Sequence, residues 1–371
     1  MLIVMKNLEH YLISDTQGVI DLCEKANKQG VVGMDTEFMR EKAYFAELCL
    51  LQIEINQKYF LVDTLALIKD EIATRLLAEL IASPKVIKII HSCTQDIEVL
   101  SQYYNVVPQA IFDTQLAAGF CAYDSQIGYA SIVKEVCHVE LDKSQTRTNW
   151  QQRPLSLKQL EYAVNDVVYL QSLYEKFSAE LKNKQRHDWF AQESQAMIQS
   201  AIDNQKPELA YSRLNGSNMH TKNQHLLVFL ANLREVNAQA SNKPRPWVLK
   251  DADLYTIAHA LPSDEKALFS LNISAGFVKR NAAEIVDFIK QIPNSDSAIW
   301  ANAQPLNSVQ KAQVKEVSQK LNAISENKGV SRSLIANRKD IESYVGGRGA
   351  KFAQGWRAEF LGNALSDIVI N

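Results

Sequence analysis

The stretch Val31-Val32-Gly33-Met34-Asp35-Thr36-Glu37-Phe38 limits what this chain can fold into more than any other segment. Three apolar residues and a glycine run straight into two carboxylates two positions apart. On an extended strand alternate side chains share a face, so Asp35 and Glu37 point the same way. Side by side they repel, and a hard divalent cation held by oxygen ligands is the usual remedy. Whether this strand carries such a site depends on further carboxylates arriving from elsewhere in the chain.

The flanking pattern is that of an α/β sheet. Residues 15–30 repeat apolar positions at helical spacing and stop at Lys28-Gln29-Gly30. Residues 48–55 and 59–62 read as two strands of a hairpin, so the sheet begins with antiparallel neighbours. A helix over 70–82 ends at Ser83-Pro84, a buried strand follows over 85–91, and Thr94-Gln95-Asp96 opens another helix. This order places Asp96 at the carboxyl end of a parallel strand, the edge where ligands gather in open α/β sheets. It either serves a ligand there or complements the positive end of its helix. Asp113, between the apolar run 110–112 and a helix through Cys121, reads as an N-cap and stays outside the ligand set.

Residues 157–181 read as one long helix, with apolar positions at 157, 160, 163, 164, 167, 168 and 170. Tyr162 and Asp166 are four apart on it and share a face. Asp166 sits among Ala163, Val164, Val167 and Val168, where a carboxylate is costly unless paired or bound to a metal. Asp35, Glu37, Asp96 and Asp166 converging at one sheet edge would be tolerable around two divalent ions about 4 Å apart, the separation typical of phosphodiester-cleaving sites. A phenol is largely protonated at neutral pH, so Tyr162 would orient an attacking water rather than fully take its proton.

Bulk properties narrow the class. At 371 residues the chain is long enough for two or three domains. An apolar content of 46% with 22% charged residues is that of a globular protein, and no apolar run approaches the roughly 18 residues of a membrane span. The apolar start meets Lys6 and Glu9 too soon for a secretory signal. Five scattered cysteines fit reduced thiols and a cytoplasmic location. The net charge of −2 divides unevenly: from residue 301 on there are ten Lys or Arg against six Asp or Glu, +4, leaving −6 for the rest. An acidic body with a basic end suits a carboxylate active site beside a polyanion-holding tail.

Five segments in order carry a family resemblance. They are Asp-Thr-Glu-Phe-Met-Arg from 35, His-Ser-Cys-Thr-Gln-Asp-Ile-Glu-Val-Leu from 91, Phe-Asp-Thr-Gln-Leu-Ala-Ala from 112, Leu141 to Trp150 with Arg153-Pro154-Leu155-Ser156, and Glu161-Tyr162-Ala163 leading to Asp166-Val167 and Tyr169-Leu170. Together they resemble bacterial ribonuclease D, of the DEDD 3′-to-5′ exonucleases with a tyrosine in the last motif. The resemblance implies an RNase H-like mixed sheet flanked by helices, a catalytic set of Asp35, Glu37, Asp96, Tyr162 and Asp166, and two Mg²⁺ or Mn²⁺ ions. Asp35, Glu37 and Asp166 would hold the first ion, Asp35 would bridge to the second, Asp96 would hold that one partly through water, and Tyr162 would position the nucleophile. It also implies trimming of structured RNA, chiefly tRNA precursors, from the 3′ end with release of nucleoside 5′-monophosphates. Ala46 where a proline is usual, Cys93 at a small-residue position and Asn149 where an aspartate is common bear on loop shape and substrate handling. Because the same acids serve both sugars, a single-strand DNA exonuclease is one alternative; a catalytically silent RNA-binding protein is another.

The remainder reads as helical. Residues 1–205 are expected to form the exonuclease domain, 206–293 to resemble an HRDC domain, and 294–371 to resemble a second, weaker HRDC copy across a linker at 293–305. Such modules would add phosphate contacts that carry affinity without sequence preference. Arg245, Lys250, Arg338, Lys339, Arg348, Lys351 and Arg357 are the contact candidates, and Gly346-Gly347-Arg348-Gly349 reads as a flexible turn. RNA is the expected partner, with no membrane and no obligate protein partner.

Overall fold

The computed structural model describes residues 2–5, 8–141, 148–292, 297–300 and 305–365. Two parts of the sequence reading, the stretch 142–147 and most of the 293–305 connection, lie outside the described residues. Strands β1 (Leu2–Met5), β2 (Leu8–Ile13), β3 (Val31–Met39), β4 (Glu47–Ile55), β5 (Lys58–Val62), β6 (Ile87–Ile90) and β7 (Ile111–Asp113) form one sheet in the order β1-β2-β5-β4-β3-β6-β7. The expected hairpin is β4 and β5, antiparallel with Ile55 opposite Lys58. That register leaves Asn56 and Gln57 as a two-residue turn, both at positive φ (51° and 61°), which suits the right-handed twist of the two strands. On the other side of β3, β6 runs parallel to it with Gly33 opposite Ile89, and β7 runs parallel to β6. The acid-bearing strand therefore lies inside the mixed sheet, with a neighbour on each side.

Helices α1 (Thr16–Gln29), α2 (Glu71–Ala82), α3 (Thr94–Tyr104), α4 (Thr114–Phe120) and α5 (Tyr129–Cys137) connect and flank the strands. Asp15 caps α1 by accepting from the Gly18 N–H at 2.8 Å, and Gly30 ends it at φ 74°, a conformation glycine adopts without a Cβ penalty. The long helix expected over 157–181 is in fact two, α6 (Leu157–Val168) and α7 (Leu170–Asn183). They break at Tyr169 (φ −102°, ψ 0°), whose backbone N–H donates to the Tyr129 hydroxyl at 3.1 Å. Apolar spacing runs through that break unaltered, so periodicity could not reveal it.

After α8 (His187–Asp203) come α9 (Thr221–Ser241), α10 (Arg245–Val248), α11 (Asp251–Ala260), α12 (Glu265–Ser270) and α13 (Ala275–Gln291), then α14 (Ser308–Lys328), α15 (Arg332–Ile335), α16 (Arg338–Val345) and α17 (Gly355–Leu361). Where the sequence suggested three successive domains, packing divides the chain into two units. One comprises Met1–Met39, Leu48–Gln199 and Leu306–Asn371; the other comprises Arg40–Glu47 and Ser200–Pro305. The physical reason is a shared core. Val317, Leu321, Ile335, Trp356 and Phe360 of the last segment bury with Phe120, Phe177 and Phe190 of the sheet domain. Polar bonds reinforce it: Arg186 donates to the carbonyls of Phe120 (2.5 Å) and Gly329 (2.6 Å), and Glu193 accepts from Trp356 Nε1 (3.0 Å) and Arg357 Nη2 (2.8 Å). In the second unit Tyr44 is buried with Leu230, Leu254 and Phe277, and Asn242 Oδ1 accepts from the Tyr44 and Phe45 N–H groups at 3.0 Å each. No helix of the described residues is long and apolar enough to cross a membrane.

Candidate active site

Strand β3 sets Asp35 and Glu37 on one face, and α6 brings Asp166 to them. Ligand-capable oxygens of these three carboxylates lie within 4.8 Å of one another. The placement of α6 is itself written locally. Ser156 and Gln159 form a reciprocal capping box (Gln159 N–H to Ser156 Oγ 3.3 Å, Ser156 N–H to Gln159 Oε1 3.0 Å) that starts the helix. Just before it, Arg153 grips Asp63 with two bonds of 2.7 and 2.8 Å and donates to the Cys49 carbonyl at 2.8 Å, fastening this loop to β4 and the end of β5. The Arg-Pro-Leu-Ser segment therefore positions the helix that carries Tyr162 and Asp166.

Asp96, in the first turn of α3, lines the same cavity of about 550 Å³ together with Thr36, His91, Tyr129 and Tyr162. The Thr36 hydroxyl donates to Asp96 Oδ1, fixing that carboxylate from the strand that bears the other two. From β4, Gln52 Nε2 donates to Asp35 Oδ2 at 3.4 Å. Sequence reasoning missed both. For Gln52 there was a signal: it is an uncharged polar residue flanked by Leu48, Cys49, Leu50, Leu51 and Ile53, in a strand buried on both faces of the sheet. Thr36 offered none, since a threonine in a strand is ordinary.

Two polar neighbours prove structural. Asp113 accepts backbone N–H groups of Ser92 (3.1 Å), Cys93 (2.9 Å), Gln115 (2.7 Å) and Leu116 (3.1 Å), so it is the expected cap and also ties the β6–α3 turn. Both ring nitrogens of His91 are engaged, with the Thr114 hydroxyl and the Ile127 carbonyl, each at 2.9 Å. Burial holds His91 below its usual value, with Asp113 opposing, which leaves the ring neutral.

The acids are held far from their ordinary state. Burial, then Asp96, Asp166 and Glu37, push the Asp35 carboxyl well above the carboxylate range. Glu37 is raised to about 9 by burial and by Asp166 and Asp96. Burial raises Asp96 to about 7 against the Thr36 hydrogen bond, and raises Asp166 to about 7 against the hydrogen bond from Tyr162. Among the described residues lining the cavity there is no lysine or arginine. The Asp35, Glu37 and Asp166 carboxylates, with Asp96 lining the same cavity, form an oxygen-only, hard donor set, which fits a hard divalent cation.

The basic candidates separate. Arg357 is 7% exposed at its side chain and pairs with Glu193 at 2.7 Å; Lys351 adds a 3.3 Å contact to the same carboxylate. Arg357 is therefore a core-tying cation, contrary to its reading as a surface contact: its charge is spent fixing α17 to α8. Arg245 pairs with Glu235 at 2.5 Å, and Arg338 with Glu342 at 2.8 Å. Lys250, Lys339 and Arg348 are exposed.

Comparison with known proteins places these features in context. A family model described as a 3′-5′ exonuclease matches residues 11–182, and an HRDC domain model matches 224–289. The chain is 33% identical to a ribonuclease D of Jannaschia sp. (strain CCS1), over 95% of this chain and 93% of that protein, and 32% identical to one of Acidiphilium cryptum (strain JF-5), over 96% and 92%. The fold superposes on a crystal structure of Escherichia coli RNase D, an exoribonuclease involved in structured RNA processing, with a TM-score of 0.81 and 25% identity over 96% of this chain and 99% of that one. The catalytic core of Trypanosoma brucei RRP6, at 19% identity and a TM-score of 0.51, shares the fold.

Proposed function

Because this chain belongs to the ribonuclease D family and is a 3′-to-5′ exoribonuclease, we propose that Asp35, Glu37, Asp96 and Asp166 hold two divalent cations, Mg²⁺ or Mn²⁺. The observation that carries this reading is the convergence of Asp35, Glu37 and Asp166 within 4.8 Å in a cavity lined by no lysine or arginine among the described residues. When bound, the cations supply the positive charge that the acids lack and that a phosphodiester under attack requires.

The chain's own groups do the rest. Tyr162, hydrogen bonded to Asp166, orients a water at the edge of the carboxylate cluster. Thr36 keeps Asp96 turned into the cavity, and Gln52 holds one oxygen of Asp35 in place. We assign the substrate as structured RNA with a 3′ extension, chiefly tRNA precursors, shortened one nucleotide at a time with release of nucleoside 5′-monophosphates. The exposed Lys250, Lys339 and Arg348 are assigned to phosphate contacts. The helix orders α9-α10-α11 and α14-α15-α16 both run as 21 residues, four residues and a further helix, which supports reading the last segment as a second HRDC-like copy. All five cysteines are free, the usage of a reducing compartment, and we place the protein in the cytoplasm.

The test is incubation of the full chain with a 3′-extended tRNA, in Mg²⁺ and in EDTA, with products resolved by length. Stepwise shortening only with the metal is the expected result. Metal-independent cleavage, binding without shortening, or faster loss of single-stranded DNA would each overturn the assignment.

A further inference from the structure

Two phenols line the acidic cavity, Tyr162 and Tyr129, and the chemistry above gives the second no part. Tyr129 is the first residue of α5, and its ring is fixed from two directions. His91 meets it edge-on, with ring centroids 5.5 Å apart and planes at 60°. Just ahead of it, the Ile127 carbonyl accepts from Gln115 Nε2 at 3.0 Å and meets His91 Nε2 at 2.9 Å, which pins the turn into α5 to α4 and to the end of β6. A carbonyl only accepts, so Nε2 carries the proton there, and His91 braces the Tyr129 ring without engaging its hydroxyl.

That hydroxyl is half used. Its oxygen accepts from the Tyr169 N–H at 3.1 Å, at the break between α6 and α7, three residues beyond Asp166. Among the described residues this is its one hydrogen bond, so its proton has no protein acceptor. A phenol both accepts and donates, and a donor left unmade beside carboxylates marks an acceptor that the protein alone does not supply. Burial first, against the Tyr169 N–H, and then the charges of Asp166 and Asp35 push the phenol well above its usual value. It therefore keeps its proton at neutral pH, and the carboxylates that reach it are two of the proposed cation ligands.

We propose that Tyr129 is a positioning residue of the nuclease reaction: its oxygen fixes the last turn of α6 through Tyr169, and its proton goes through a cavity water to the Asp166 carboxylate. The water is needed because Tyr129 makes no direct bond to Asp166, and a bridging water holds two such groups nearly as well as contact does. Asp166 is the acceptor because it stands on the turn that the same hydroxyl anchors. This rests on the reading of Asp35, Glu37, Asp96 and Asp166 as cation ligands and adds what aims one of them. Tyr162 acts on the attacking water, whereas Tyr129 acts on a ligand, and removing a group that orients a ligand costs roughly 10- to 100-fold in metal affinity or activity.

The experiment uses the full chain, stripped of metal by chelation and dialysis, and titrates Mn²⁺ by calorimetry in the absence of RNA. Tyr129→Phe keeps the ring against His91 and removes only the hydroxyl; circular dichroism and urea unfolding verify that it is folded at the temperature of the titration. Its Mn²⁺ dissociation constant is expected to lie about 10-fold above that of the wild type, and the Mg²⁺ concentration that half-saturates RNA shortening is expected to rise by about the same factor. A hydroxyl that merely satisfies the Tyr169 N–H would lower the urea midpoint and leave Mn²⁺ affinity at the wild-type value; that result overturns the proposal. If Tyr129→Phe does not fold, 3-fluorotyrosine is placed at 129, which retains the hydroxyl. Its fluorine resonance is expected to shift when Mg²⁺ is added, and an unmoved resonance overturns the proposal equally. Shortening of a 3′-extended tRNA by the wild type is measured in parallel. A wild type that binds Mn²⁺ but leaves RNA intact sinks the exoribonuclease reading, while the titration still decides for or against Tyr129. A wild type that shortens RNA beside a Tyr129→Phe variant of unaltered Mn²⁺ affinity sinks the positioning role alone.

Discussion

Asp166→Asn preserves the size of a side chain while removing a charge that the metal-free fold tolerates poorly. Asp166 is raised from 3.8 to about 7, by burial first and against the hydrogen bond from Tyr162. Below pH 3.8 the group is protonated in folded and unfolded states alike, and it has no effect on stability. Between 3.8 and about 7 the unfolded chain ionises while the folded one does not, so stability falls as pH rises; above 7 the loss is constant. The gap between 3.8 and about 7, at 1.36 kcal/mol per pH unit, sets an upper limit of about 4 kcal/mol. Asp35 and Glu37 share the same crowding and the carboxylate is only partly buried, so ~2 kcal/mol is the size to expect. Urea unfolding in EDTA should then find Asp166→Asn more stable than wild type by about 2 kcal/mol at pH 8 and by less than half of that at pH 5. Millimolar Mg²⁺ should stabilise the wild type at pH 8 and the variant far less. A variant that is less stable than wild type at pH 8 in EDTA, or a gain independent of pH, would refute the picture of a self-repelling cluster awaiting a cation.

Other outcomes test neighbouring steps. Asp35→Asn should abolish RNA shortening while leaving RNA binding in EDTA within a fewfold of wild type; trimming at a near-normal rate would show the ligand assignment to be wrong. Tyr162→Phe should lower kcat by roughly a hundredfold with little change in KM, and an unaltered kcat would remove the phenol from the site. Burial pushes the Glu193 carboxyl up, but Arg357, Trp356 and Lys351 outweigh it and hold it at about 2. Its contribution of about 3 kcal/mol is therefore present above pH 4.5 and lost as pH falls toward 2. Glu193→Gln should cost that amount at pH 7 and progressively less below pH 4, as measured by denaturant midpoints. Deleting residues after 305 should leave an insoluble or non-cooperative chain, because Trp356 and Phe360 alone are core aromatics worth about 3–5 kcal/mol each; a soluble, cooperatively unfolding product would disprove the shared core.

Much of this protein is legible one segment at a time. The β3 acids share a face because a strand alternates, and Tyr162 and Asp166 do because a helix repeats; the caps at Asp15, Asp113 and Ser156 are local chemistry. The β4–β5 hairpin followed from two apolar runs and the short turn between them, although its register, with Lys58 already paired to Ile55, came from the structure. These features depend on residues within a few positions of each other, so the sequence alone determined them, and the order of the motifs was enough to indicate the family. What lay beyond it were matters of where distant segments meet. The Tyr169 break needs a hydroxyl 40 residues away. Gln52 acquires its role only from lying beside Asp35, and Arg357 passes from a surface cation to a buried one only because Glu193 waits across 164 residues. Charge and periodicity are properties of a side chain and its near neighbours, whereas burial and pairing are settled by packing, and packing alone decided that the last helices complete the catalytic core.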